Sequence, residues 1–213
     1  MKYYLVVTLV ISIFFSCNES SQQPATSDDH KGHASPSVQT TAGLPDYADS
    51  VNQGIIATDT LKSSPHRTAM ANIGKTHIHI EYGSPGVKGR VIWGGLVPFE
   101  TVWVTGAHKA TTINFSKDVE VQGKKIPAGT YAFFTIPDKE KWILILNSRY
   151  DQHLADDYKQ EEDLVRVEVT PVASDKLMQR LQYAVNKITD TSGIINMEWE
   201  KVKVSLPVVV MSE

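Results

Sequence analysis

The chain has 213 residues and 23.6 kDa, with 41% hydrophobic and 21% charged residues, a formal net charge of -3 and a pI near 6.2. That length suits one domain with appendages, and the lack of a basic excess argues against a nucleic-acid binder. The single cysteine excludes an internal disulfide and a multi-cysteine zinc site, so any metal chemistry must come from His, Asp and Glu.

Residues 1–16 read MKYYLVVTLVISIFFS. Lys2 precedes an apolar run from Leu5 to Phe15. The run is too short for a transmembrane helix, which needs about 20 apolar residues, and it has the length of a signal-peptide core. Ser16 stands directly before Cys17. The segment resembles a bacterial lipobox, in which cleavage before a cysteine is coupled to lipidation of its thiol. Phe14 stands where Leu is usual. The resemblance implies a mature chain that begins at Cys17 and is held in a lipid bilayer by acyl chains, each buried CH₂ contributing about 0.8 kcal/mol. Asn18 is not the Asp of an inner-membrane retention signal. The expected location is therefore the outer membrane, facing the periplasm or the cell surface.

Residues 17–60 are expected to be a flexible linker. The stretch from Asn18 to Pro45 is rich in Ser, Thr, Gln and Pro and has no aromatic residue, so it cannot bury enough apolar surface to offset the cost of ordering. Within it, Asp28-Asp29-His30-Lys31-Gly32-His33 reads as a solvated polar run. Residues 47–60 are mixed in character and read as loop.

From Leu61 to the end the chain reads as one β domain. A domain of about 150 residues buries roughly 68–70% of its extended surface and needs no covalent staples. Lys75 to Tyr82 alternates strictly, with Ile78, Ile80 and Tyr82 on one face and His77, His79 and Glu81 on the other. Ala110 to Phe115 alternates too. Val119 to Ile126 reads as a hairpin with Gly123 at its turn, and residues 127–136 as a strand bounded by prolines. Trp142 to Leu146 is apolar on both faces, which predicts an inner strand. Leu164 to Thr170 is a further strand. Ser174 to Asn186 has the composition of a helix, but Leu181, Tyr183 and Val185 alternate. It reads as a strand with a short helical turn at its start. Ile194 to Val204 and Leu206 to Val210 are the last two. The expected fold is all-β, a two-sheet antiparallel β-sandwich of about nine or ten strands.

Several motifs match a known pattern: Ser64-Pro65-His66-Arg67, Ile78 to Tyr82, Gly89 to Gly94, Val102 to His108, Pro127 to Tyr131, and Trp142 with Asn147. Together, over about residues 63–209, they resemble the bacterial family called domain of unknown function 2911. The resemblance implies an exported or lipid-anchored β-rich domain of Bacteroidetes type, and it carries no activity. Many members have W-R-T-G-A-N-E at the third motif. Here Val104 replaces the Arg, Lys109 replaces the acid, and His108 adds an imidazole.

Histidines are the main chemical signal. His66, His77, His79, His108 and His153 all fall in the domain. His77 and His79 share one strand face with Cα atoms about 6.6 Å apart, so both can ligate one ion. His108 or His153 can supply a third nitrogen. Glu81 is placed to orient them, and imidazole suits Cu or Zn among others. In a blander reading, His77, His79 and Glu81 are the wet face of a half-buried strand. Arg90, Trp93 and Trp103 are candidates for an aromatic ligand surface, or for core packing. The chain lacks a nucleophile elbow, a P-loop, a dinucleotide fingerprint and a zinc-protease motif. The leading expectation is a binding or accessory module rather than an enzyme. The alternatives are an extracytoplasmic hydrolase with a carboxylate acid/base pair, and a purely structural envelope protein.

Overall fold

The computed structural model describes residues 46–211. The leader, Cys17 and most of the linker lie outside them. Ten strands form two antiparallel sheets. They are β1 (His66–Ile73), β2 (Thr76–Gly83), β3 (Thr111–Phe115), β4 (Val119–Val121), β5 (Lys124–Ile126), β6 (Gly129–Ile136), β7 (Trp142–Asn147), β8 (Asp163–Val169), β9 (Val172–Lys187) and β10 (Ser192–Val210). One sheet has the order β1-β2-β3-β6-β7-β8 and the other β5-β4-β10-β9. The fold is the expected all-β, two-sheet one.

Alternation builds the core. Ile78, Ile80, Ile113, Phe115, Phe133 and Leu144 line the inner face of the larger sheet. They meet Leu181, Ile195, Met197, Leu206 and Val208 from the smaller one. The same period of two sends His77, His79 and Glu81 to the outer face. β7 is apolar on both faces because part of that outer face is also covered. There Ala132, Phe134 and Ile145 pack against Val104 and Ala110 of the segment before β3.

Three elements differ from the expectation. β1 carries only small or half-exposed residues over most of its length, so its sequence shows no apolar stripe. The last two strands are one: β10 runs through 19 residues with register shifts around Glu200, whose φ is 55°. This irregularity lets it pair with β9 along its first part and with β4 at its end. The segment of residues 172–187 is strand throughout, without a helical turn at its start.

The packed domain already includes residues 46–60, ahead of the expected start at Leu61. Residues 47–60 were expected as loop and linker, yet α1 (Tyr47–Asn52) lies within them, capped by Asp46, whose carboxylate accepts from Asp49 N at 2.8 Å. Two arginines hold this strap. Arg67 of β1 donates to Asp46 at 2.8 Å and Asp49 at 2.6 Å. Arg180 of β9 is fully buried and donates to Asp59 at 2.8 Å and to the carbonyls of Leu61, Ser63 and Ser84. The Asn52 amide pairs with both backbone groups of Arg180, at 2.8 and 2.9 Å. This satisfies polar groups that burial would otherwise leave costly.

Candidate functional site

The outer face of the larger sheet is apolar near β7 and polar toward β1. Cross-strand register sets the polar rows: Asn72 faces His77, Met70 faces His79, His79 faces Asn114, and Glu81 faces Thr112. Asn114 faces Thr130 and donates to its hydroxyl at 2.8 Å.

The segment before β3 makes a wall beside these rows. It comes close because Gly83 has no side chain: a Cβ there would lie 2.4 Å from the Ala107 carbonyl oxygen. Thr105 is fully buried at φ 51°, a conformation that a β-branched residue adopts only when its surroundings enforce it. The enforcing contacts are hydrogen bonds. Its carbonyl accepts from the Tyr183 hydroxyl at 2.7 Å and the Thr111 hydroxyl at 2.9 Å. Its own hydroxyl pairs with Thr135 at 3.1 Å. The turn that follows carries His108 at φ 69° to the lip of the wall.

Sheet and wall enclose an open cleft of about 650 Å³. His66, His77, His79, Glu81 and His108 line it, together with Lys109 and Asp151. The hydroxyls and amide of Thr112, Asn114 and Thr130 lie on its sheet side. Glu81 sits between two imidazoles, 3.3 Å from His79 Nε2 and 3.7 Å from His66 Nε2. His77 Nδ1 is 2.7 Å from Asn72 Oδ1, and the His77 and His79 ring centroids are 6.2 Å apart. Tyr82 also lines the cleft. Burial pushes its phenol above the usual value, with the nearby Arg67 guanidinium opposing the shift.

Three of the four histidines expected as ligands, His77, His79 and His108, therefore share one cleft with Glu81. His153 is exposed on the neighbouring loop, where its backbone bridges to Lys109. His66, which shares the cleft, was outside the proposed ligand set because the strand that carries it had no legible pattern. Among the described residues, no three His, Cys, Asp or Glu side chains form a ready metal-holding group.

Arg90, Trp93 and Trp103 lie elsewhere. Arg90 donates to the Val87 and Gly86 carbonyls of its own loop. Trp93 is the hub of a cluster of all four tryptophans, with centroids 5.7 Å from Trp103, 4.8 Å from Trp142 and 5.7 Å from Trp199. Trp103 stacks on Trp199 and donates its indole N–H to the Gly106 carbonyl at 3.2 Å. Trp93 and Trp103 are half-buried and packed against the core.

Fold and cleft together define an antiparallel two-sheet domain with an open, histidine-lined cleft on its larger sheet. A family model described as "Protein of unknown function (DUF2911)" matches residues 64–208, and the chain belongs to that family. No curated protein and no solved structure matches the chain.

Proposed function

We propose that the chain is a cell-envelope lipoprotein, anchored in the outer membrane through Cys17, whose domain binds a transition-metal ion, Cu or Zn, in the histidine cleft. One observation supports the metal reading above others. The cleft gathers four imidazoles from three separate segments, with two carboxylates, Glu81 and Asp151, against one ammonium, Lys109. Lys109 is already paired with Asp151 at 3.5 Å. Imidazoles beside an excess of negative charge suit a borderline cation better than an anion.

Elemental analysis after dialysis against Zn(II) or Cu(II) tests this. About one ion per wild-type chain is expected, and none in excess of background in His77→Ala/His79→Ala. Equal stoichiometric metal in both proteins would sink the reading. The anchor is tested separately by palmitate labelling, expected in the wild type and absent in Cys17→Ser.

A further inference from the structure

We infer that the turn at residues 91–98, in the long connection between β2 and β3, is a bilayer-docking tip: Val91 and Leu96 enter the boundary between headgroups and acyl chains, and Lys88 and Arg90 meet anionic headgroups. The inference rests on the anchoring at Cys17 proposed above and adds to it the face that the domain turns toward the lipid.

Turns are ordinarily polar, but residues 90–99 read RVIWGGLVPF. Their side chains divide into two sets. Ile92 and Val97 are buried and Trp93 packs into the tryptophan cluster. Val91 is 74% exposed and Leu96 47%, and Pro98 beside them is exposed as well. The exposed pair is held in place by the backbone. Leu96 N donates to Val91 O at 3.0 Å, Val97 N to Ile92 O at 2.9 Å, and Gly94 N back to Val97 O at 2.9 Å. Glycines keep the turn tight: a Cβ on Gly95 would lie 2.5 Å from the Val91 carbonyl oxygen, and one on Gly94 2.7 Å from the Phe99 ring. Apolar side chains displayed on a preformed turn need little further ordering to bind, and exposed apolar groups grouped in this way mark an interaction site.

Two observations point to lipid as the occupant. The first is charge. Residues 86–99 contain Lys88 and Arg90 and no acid, in a chain whose net charge is -3. Both are exposed, and their hydrogen bonds to the carbonyls of Leu61, Val87 and Gly86 leave both charges in place. Apolar groups flanked by cations bind a membrane interface by burial plus attraction to anionic headgroups. The second is where the link to Cys17 joins the domain. Lys88, at the root of the tip, donates to the Leu61 carbonyl. Leu61 N donates to the Tyr47 hydroxyl at 3.1 Å, and Tyr47 is the first residue of α1. The link therefore enters the domain beside the root of the tip. Residues 18–45 can reach at most about 100 Å, so with Cys17 acylated the docking of the tip becomes intramolecular and a weak contact suffices.

The test uses the full-length chain carrying Cys17→Ser, which removes the lone cysteine, with one new cysteine bearing an environment-sensitive fluorophore. Leu96→Cys puts the dye on the tip. Ile188→Cys puts it at a 60% exposed position in the β9–β10 turn. That turn meets the β1–β2 turn at Gly74, at the opposite end of β2 from the tip. On vesicles of phosphatidylcholine and phosphatidylglycerol in equal parts, emission at position 96 is expected to shift to the blue and to be quenched by brominated lipid, with no change at position 188. Val91→Asp added to the Leu96→Cys chain should abolish the shift. No shift at 96, or equal shifts at both positions, would overturn the docking tip. So would a shift at 96 that appears without vesicles and grows with protein concentration, which would make the turn a contact between copies of the chain. Palmitate incorporation at Cys17 of the wild type separates the two readings. Incorporation with a silent position 96 ends the docking tip alone, and quenching at position 96 without incorporation ends the anchor alone.

Discussion

Arg180 shows how much one side chain can hold. It is fully buried, its charge is matched by Asp59, which is itself 4% exposed, and its two Nη groups also reach three carbonyls, while Nε meets no acceptor among the described residues. Removing one member of a buried ion pair leaves the other uncompensated and costs about 3–5 kcal/mol. Arg180→Ala and Asp59→Ala should therefore each lower the urea midpoint by a similar large amount, and the double variant should lose much less than the sum. Asp118 works at a smaller scale and in the open. The Lys125 ammonium and the Ala128 N–H hold its carboxyl below the usual range. Because the folded value is lowered, its contribution is present above the unfolded value and is lost as pH falls through the folded one. Asp118→Asn should make the acid side of the stability profile flatter, read by denaturant midpoints at a series of pH values. Neither residue stands out in sequence. Arg180 lies in a segment whose composition suggests a helix, and its partner lies 121 positions earlier in a stretch that reads as linker.

Among the elements, β2 was legible to the residue. Its strict alternation separates Ile78, Ile80 and Tyr82 from His77, His79 and Glu81, and the structure keeps that division. β7 was equally clear, because two apolar faces require cover on both sides. β1 was not legible: Ala69 and Ala71 are too small to mark a buried face, and the strand lies at a sheet edge. With β1 went the placement of His66 and Asn72 beside the histidine pair. α1 was missed for a related reason. Six residues with one capping aspartate are too short to show helical periodicity, and contacts with β9 and with Arg67 of β1 hold them. The close approach of β2 to the wall gives a prediction at this level. Gly83→Ala would put a methyl 2.4 Å from a backbone oxygen, so the wall must shift. The expected cost is about 1–3 kcal/mol, checked by thermal denaturation.

At the scale of the whole molecule, burial pushes the phenols of Tyr82, Tyr131, Tyr158 and Tyr183 above their ordinary value, Tyr158 up to about 12. These are four of eight tyrosines. A raised folded value means that stability is fully present below the unfolded value, about 10, and is lost as pH rises through the folded ones. Alkaline unfolding should therefore coincide with ionisation of these phenols, seen as phenolate absorbance appearing together with the change in tryptophan fluorescence. The full phenolate signal of all eight tyrosines appearing before unfolding would contradict the buried placement. The sheet order and the convergence of loop and strand on one cleft could not be read from any local pattern, because they depend on pairings between distant segments such as β3 with β6 and β10 with β4. One of these distant contacts has a consequence in time. The strap precedes all ten strands in synthesis, yet its partner Arg180 lies on the ninth. Asn52 waits for a residue 128 positions later, and Asp59 for the same one. Arg67 engages Asp46 and Asp49 early, but the strap is fully fastened only when β9 arrives, and until then Asp59 must stay solvated while the sheets assemble.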